Sequence, residues 1–399
     1  MKRDATFLTL AALVTAGLTM RPLLTSVSTQ LPYLQHALAL DATASSLLAA
    51  LPMLMMGISA CAGSALLRRY SARSLLLPGL LLLLTGTALR QWMSSGELLL
   101  ATAALGGVGI GLVQMAMPGA LRQRFGQRTP AVTGLWSGAL MGGGGLGAAL
   151  TPWLSSHVGW RIALSGWSLL ILLALALWTM VRLPAPRAVA HTTAGSPVRE
   201  TPLYRIPRAW ALALSFGLVN GTYASLIAWL PDALIAIGWT AQRSGTLLAL
   251  MIAAQVGGAL GLPLLARGQD RRPLLLLCLA CQAIGLSGFL FAPLAAPWLW
   301  ASVAGVGLGG AFPLTLVLAL DHLSLPARAA RLVAFVQGIG FCAAGAMPFI
   351  AGQLRIITGS LNAAWGLHLV IVCLLMALNL RFHPKSYAQA FASPTQRQS

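Results

Sequence analysis

Arg21 stands about fifteen residues inside an apolar run that begins near Phe7, with Thr25 and Ser28 at i+4 and i+7. At 1.5 Å per residue it lies roughly 22 Å along a helix, too deep for its side chain to reach either face of a bilayer easily. A cation at that depth is costly unless an anion or a carbonyl end meets it. Arg21 is therefore a candidate substrate ligand, with a purely structural hydrogen-bonding role as the alternative. At an offset of 199 residues its counterpart is Asn220, and Tyr223 follows one turn later with a hydroxyl and an aromatic wall. Gln255 and Gln114 offer amides at moderate depth, and Gln337, Trp136 and Phe341 lie on glycine-bearing segments. A buried Gln is as often an interhelical hydrogen bond as a ligand contact.

The other ionisable residues narrow the chemistry. Asp4, Asp41, Glu97, Glu200, Asp232, Asp270 and Asp321 fall in tails, loops or the ends of apolar runs. No carboxylate is expected at mid-membrane depth, which disfavours a cationic substrate and removes the usual proton carrier of coupled pumps. His368 lies well inside an apolar segment and reads as a packing histidine. Cys278 and Cys281 form a C-x-x-C without a second pair or a nearby acid or His, so small packing residues are expected there and no metal site. Gly142, Gly144 and Gly147 fit G-x-G-x-x-G without a preceding strand, so no dinucleotide cofactor is expected. No paired carboxylates, metal cluster or nucleophile with a base share a depth, and the chain reads as a non-enzyme that needs no cofactor.

These residues need elements that hold them inside a membrane. Of 399 residues, 57% are hydrophobic and 8% charged, whereas a soluble surface needs roughly 25% charged. The net charge of +19 arises from short basic clusters between apolar stretches, which excludes a nucleic-acid footprint and leaves the lipid bilayer as the partner. Apolar segments long enough to cross about 30 Å of hydrocarbon recur approximately at 7–36, 44–66, 74–92, 97–120, 130–154, 160–182, 208–236, 243–266, 273–293, 297–320, 329–353 and 362–382. The fold class expected is an all-α membrane protein of twelve transmembrane helices in two pseudo-symmetric six-helix bundles. The bundles are placed at 1–182 and 208–399, joined by a polar, Pro-rich cytoplasmic linker at 183–207. With both termini cytoplasmic, 21 of the 26 Lys and Arg lie inside, leaving Arg90, Arg161, Arg243 and Arg355 outside and Arg21 within the membrane.

The halves repeat. Leu31-Pro32 matches Leu230-Pro231, Leu47-Leu48-Ala49 matches Leu247-Leu248-Ala249, and the alternating glycines Gly107, Gly109 and Gly111 match Gly305, Gly307 and Gly309. A parallel repeat puts a binding site between the halves near the midplane. Gly138, Gly142, Gly144 and Gly145 in the fifth span, with Gly338 and Gly340 in the eleventh, give surfaces on which helices can approach closely and rock. Asp270 and Arg271, with Asp321 and His322, are candidates for ion pairs that latch the cytoplasmic side, against the alternative of solvated helix ends.

This duplicated twelve-span plan resembles the major facilitator superfamily over nearly the whole chain. The loop Gly63 to Arg73 has the place and basic character of that superfamily's signature loop but lacks its aspartate, whereas the second-half loop keeps Asp270-Arg271-Arg272. Met20-Arg21-Pro22-Leu23-Leu24-Thr25-Ser26-Val27, Gly134 to Met141 with the four glycines after it, Asn220 to Pro231, and Leu320-Asp321-His322 resemble the bacterial cyanate transporter family. The resemblance implies an inner-membrane secondary transporter of a small anion, cyanate in particular, working by alternating access; a monomer is expected, apart from the resemblance. Relatives similar to nitroimidazole exporters supply the alternative of a neutral or weakly acidic heteroaromatic substrate. An integral-membrane enzyme is the alternative from another class.

Overall fold

The computed structural model describes residues 2–125, 129–181, 202–265, 270–323 and 326–391. The first half contains α1 (Lys2–Met20), α2 (Pro22–Ser28), α3 (Leu31–Ala37), α4 (Ala42–Arg69), α5 (Ala72–Ala88), α6 (Gly96–Phe125), α7 (Thr129–Val158), α8 (Trp160–Ser165) and α9 (Trp167–Met180). The second contains α10 (Pro207–Ala236), α11 (Ala241–Gly261), α12 (Arg272–Phe291), α13 (Pro297–Asp321), α14 (Pro326–Thr358) and α15 (Asn362–Leu380), followed by the short α16 (Tyr387–Ala390). Among the described residues there is no strand. Among the described residues eleven helical spans are long and apolar enough to cross a bilayer, and the twelfth span of the plan, α7, is a 30-residue helix whose run of glycines lowers its hydropathy. The expected linker falls largely on residues 182–201, outside the described residues.

Local chemistry sets the ends. Asp41 accepts the Ala44 N–H at 2.6 Å and Thr240 accepts that of Arg243 at 3.2 Å, each satisfying a donor that a helix start leaves orphaned. Pro273 opens α12 as the sequence suggests, and Pro207 and Pro297 open α10 and α13 likewise. The first span departs from one continuous helix. Pro22 lacks an N–H and crowds the preceding turn, so the chain breaks at Arg21 and restarts as α2. Pro32 similarly sits in the first turn of α3. Gly159 and Gly359, 200 residues apart, take positive φ of 82° and 72° just beyond α7 and α14, where a left-handed residue ends a helix. Gly238 does the same after α10 at φ 94°, and 199 residues earlier Ala39 adopts φ 47° despite its Cβ.

The duplication extends to the packing. In the first half α4 and α5 pack on α6, α1 on α7, and α5 on α9; in the second α11 and α12 pack on α13, α10 on α14, and α12 on α15. The repeated glycines explain how. Side chains added at Gly107 and Gly111 would run into α4 at Pro52 and Ser59, while one at Gly109 would meet α5 at Gly79. In α13 the same alternation holds: Gly305 and Gly309 face α11 at Met251 and Gln255, and Gly307 faces α12 at Cys278. One glycine stripe thus seats two neighbours at backbone distance in each half. Outward-facing positions such as Leu169, Leu374, Ile284 and Val370 are apolar and exposed, as a lipid-facing surface requires.

The halves meet along α4 with α14, α7 with α11, and α2 with α10. At the first seam Gly57 of α4 lies against Cys342 of α14 and Gly338 of α14 against Cys61 of α4, which brings the two cysteines to one place. Both are free thiols. Mild oxidation of the full-length protein is expected to join them, passing two electrons to the oxidant and releasing two protons. The halves would then be tied together, and transport in proteoliposomes should stop until a reductant is added. Full transport by a quantitatively cross-linked sample would show that the halves need not move at this seam.

Candidate functional site

A cavity of about 160 Å³ lies between the halves. Arg21, held where α1 breaks into α2, is 5% exposed, and its Nε and Nη1 have no partner among the described residues. Its guanidinium carbon lies 5.2 Å from the centre of the Tyr223 ring, so the aromatic face supplies part of the compensation a buried cation needs. Asn220 donates its Nδ2 hydrogen to Phe216 O at 2.7 Å on its own helix. Gln114 and Gln255 line the same cavity, and Gln114 Nε2 and Gln255 Oε1 are buried without a partner among the described residues. Gln337 and Trp136, also singled out in the sequence, line it too, and Thr133, Ser137, Met141 and Phe312 join them. No carboxylate is among the described residues lining the cavity. An arrangement of one unpaired cation, neutral amides and aromatic walls attracts an anion and leaves no group to exchange protons with it.

Phe341 is not among the lining residues; it packs edge-on against Phe216 at 5.3 Å, one layer behind. Thr25 turns away as well. Its hydroxyl bonds to Arg21 O at 3.3 Å and faces Gly147 of α7. Gly144 leaves room for Arg21: a Cβ there would lie 3.1 Å from Arg21 Cβ and 3.6 Å from Ile252 of α11. Gly145 also faces Ile252, and Gly338 faces Cys61 across the other seam. Gly340 packs on Phe216 within its own half, Gly142 has only Leu18 near it at 3.8 Å, and Gly138 has open space. The tightest approach on α7 is at Gly143, against the backbone of Leu18.

Two of the arginines assigned to the outer side make contacts that the sequence did not show. Arg355 pairs with buried Asp232, joining α14 to α10. Arg90 is 0% exposed, because the chain leaves α5 through a tight turn at Leu89–Trp92 that sends Arg90 inward and Trp92 outward. The apolar run from Leu75 leads into Arg90 without a helix breaker after Gly86, and that signal could have marked it as a second buried cation.

The four residues considered for a latch sit at the end of the second half that carries the C-terminus. Arg271 Nε contacts Asp321 Oδ2 at 2.9 Å, while Asp270 pairs with Arg272 in its own turn at 2.7 Å. That Arg272 contact holds the Asp270 carboxyl below its usual range. His322 accepts from Arg208 Nε at 3.1 Å, donates from Nδ1 to Leu318 O at 2.7 Å, and stacks on Tyr387 at 3.9 Å. Every contact named here joins elements of the second half. Burial pushes His322 down to about 4, and the Arg208 guanidinium that Nε2 faces lowers it further.

Comparison with known proteins bears on the reading of this cavity. The profile of the Major Facilitator Superfamily matches residues 7–347. Over 381 residues the chain is 50% identical to the cyanate transport protein CynX of Escherichia coli strain K12, covering 95% of this chain and 98% of that protein. It is 29% identical over 380 residues to the 2-nitroimidazole transporter of the same strain, covering 92% of this chain and 93% of that one. The crystal structure of a D-xylose-proton symporter superposes with a TM-score of 0.76 at 14% identity, over 93% of this chain and 97% of that one, a likeness of fold alone.

Two outcomes follow from the geometry. Tyr223→Phe should keep the ring face under Arg21 and leave thermal stability near wild type, whereas Tyr223→Leu should lose about 1 kcal/mol or more. Equal damage from both would mean that the hydroxyl, not the ring, is what Arg21 depends on. His322 has a folded pKa below its unfolded value of about 6.5, so on acidification the unfolded chain takes up the proton first. Stability in detergent should therefore hold above pH 6.5 and fall by up to about 3 kcal/mol as the pH drops towards 4. His322→Gln should remove that part of the slope. An unchanged pH profile in the variant would assign the acid sensitivity to other groups.

Proposed function

The chain belongs to the Major Facilitator Superfamily, and on that premise we propose that this secondary transporter carries a small monoanion, most specifically cyanate, across the bacterial inner membrane. The observation that carries the proposal is the Arg21 guanidinium, unpaired among the described residues and facing a cavity between the halves that no described carboxylate lines. An ion pair within the protein would neutralise that charge in every state. Without one, substrate supplies the missing compensation, and Asn220, Gln255 and Gln114 offer neutral hydrogen bonds around it. The 50% identity to a cyanate transport protein supports the same substrate.

We place the termini on the cytoplasmic side, because that assignment puts most of the Lys and Arg inside. The bundles, 1–182 and 208–399, would rock about the α4–α14 and α7–α11 seams and expose Arg21 to each side in turn. The latch residues would then act by bracing the second half as one body rather than by tying it to the first. Transport as a monomer fits a site built wholly from one chain.

A second reading has its own support. The cavity of about 160 Å³ holds far more than three atoms, and its Tyr223 and Trp136 walls suit a flat ring, as in the 2-nitroimidazole named for the more distant relative. Counterflow of labelled cyanate and of 2-nitroimidazole in proteoliposomes, with wild type and Arg21→Gln, separates the two. For an anion transporter, wild type exchanges cyanate and Arg21→Gln loses at least tenfold, the loss of hydrogen bonds to a charged group worth about 1.5–3 kcal/mol. Arg21→Lys should retain part, since a point charge lacks the fork of donors. Wild-type cyanate exchange by Arg21→Gln would refute the site, and exchange of the nitroimidazole alone would establish the second reading.

A further inference from the structure

Arg90 has no role in the site described above, yet it is as deeply enclosed as any residue in the protein. Its Nη1 donates to Leu23 O at 3.2 Å, two residues from Arg21, and its Nε and Nη2 have no partner among the described residues. The turn that carries it is pinned to α8 at two points. Ser165 Oγ donates to Gln91 Oε1 at 2.8 Å, and Arg161 reaches Met93 O at 3.1 Å from Nη2. The guanidinium therefore cannot swing out to solvent without dismantling the packing of this turn on α8.

Arg90 lines a second cavity, of about 30 Å³, separate from the first. Its wall is drawn from both halves: α2 and α4 on one side, Ala224, Ile227 and Ala228 of α10 on the other. Whereas the larger cavity reaches Pro118 and Thr133, this one reaches Leu31 and Ser45, towards the opposite end of the molecule. Ser28 and Ser45 also line it, but their hydroxyl hydrogens go to Thr25 O and Asp41 O. They can accept but not donate, so Arg90 is the hydrogen-bond donor side chain among the described lining residues. A space of 30 Å³ holds roughly two water-sized bodies, enough for a three-atom ion and too little for a nitroaromatic ring.

We propose that Arg90 forms a second anion subsite, a narrow station beyond Arg21 that accepts a linear three-atom monoanion and excludes wider ones. The proposal rests on the small-anion reading of the central cavity. Two cations in sequence, each short of partners, give an anion successive resting places on its way between the halves, with neither one a trap. The larger cavity attracts; the smaller one selects by size.

The stretching band of bound cyanate, read by infrared spectroscopy on the full-length protein in detergent, reports how many environments hold the ion. Wild type should show two bound bands, Arg90→Gln should lose one, and Arg21→Gln should lose the other. The band surviving in Arg90→Gln also shows that the variant is folded. Should Arg90→Gln not fold, Arg90→Lys keeps a cation in the cavity and should shift the second band rather than remove it. In proteoliposomes Arg90→Gln should exchange cyanate at least tenfold more slowly. Bound bands identical in wild type, Arg90→Gln and Arg90→Lys would overturn the subsite while leaving the central site standing. No bound band in wild type would instead overturn the small-anion reading on which both depend.

Discussion

A guanidinium enclosed within a membrane is the constraint on which the rest of this structure depends. Taking a cation out of water is expensive, and the usual remedy is a carboxylate beside it. The protein applies that remedy at Arg355, paired with buried Asp232, while no described carboxylate pairs with Arg21 or Arg90. Arg21 is offered an aromatic face and neutral amides, and Arg90 a single backbone carbonyl. Each is partly compensated, which leaves the protein foldable and the charge unneutralised by a described carboxylate. The break in the first span serves the same end, since Pro22 interrupts the helix at the residue that must face the cavity.

Keeping those charges between two bodies that can move demands interfaces without bulky interlocking. Small residues provide them. Within each half an alternating glycine stripe on α6 or α13 seats two neighbours at backbone distance, making a rigid unit. Between the halves glycines allow equally close approach: Gly57 and Gly338 meet Cys342 and Cys61, Gly345 meets Leu54, and Gly144 and Gly145 meet Ile252. Smooth surfaces of this sort give dispersion contact with little to unlock, so the seams can part and re-form. Gly144 has a second duty, as the residue whose missing side chain leaves Arg21 its place.

The second half is further braced at the end carrying the C-terminus. Arg208 contacts His322, Arg381 O and Ser386, and so fastens α10 to α13 and to the segment after α15. Arg271 with Asp321 ties α12 to α13. Exposed pairs of this type contribute little singly. The buried His322, satisfied on both ring nitrogens and stacked on Tyr387, is the firmer part of the brace. Bracing one half as a body complements the glycine-bearing seams between the halves.

The sequence by itself determined the fold class, the twelve-span plan and the duplication, because each rests on local or periodic information. Length and hydropathy specify a span whatever its neighbours, and an offset near 200 recurs in Leu31-Pro32 as in the positive-φ residues Ala39 and Gly238. Depth along a helix was also legible, so Arg21, Asn220, Tyr223, Gln114, Gln255, Gln337 and Trp136 could be named as polar or aromatic residues at membrane depth, and all line one cavity. The direction each side chain takes was not. Phe341 lies behind the wall, Thr25 bonds back to its own helix, and the latch residues bond within one half, because azimuth and partner depend on how helices pack. Arg90 shows the limit most clearly. A charge at the end of an apolar run reads as an interface residue, and only the turn after α5, held by α8, folds it inward to a cavity that both halves enclose.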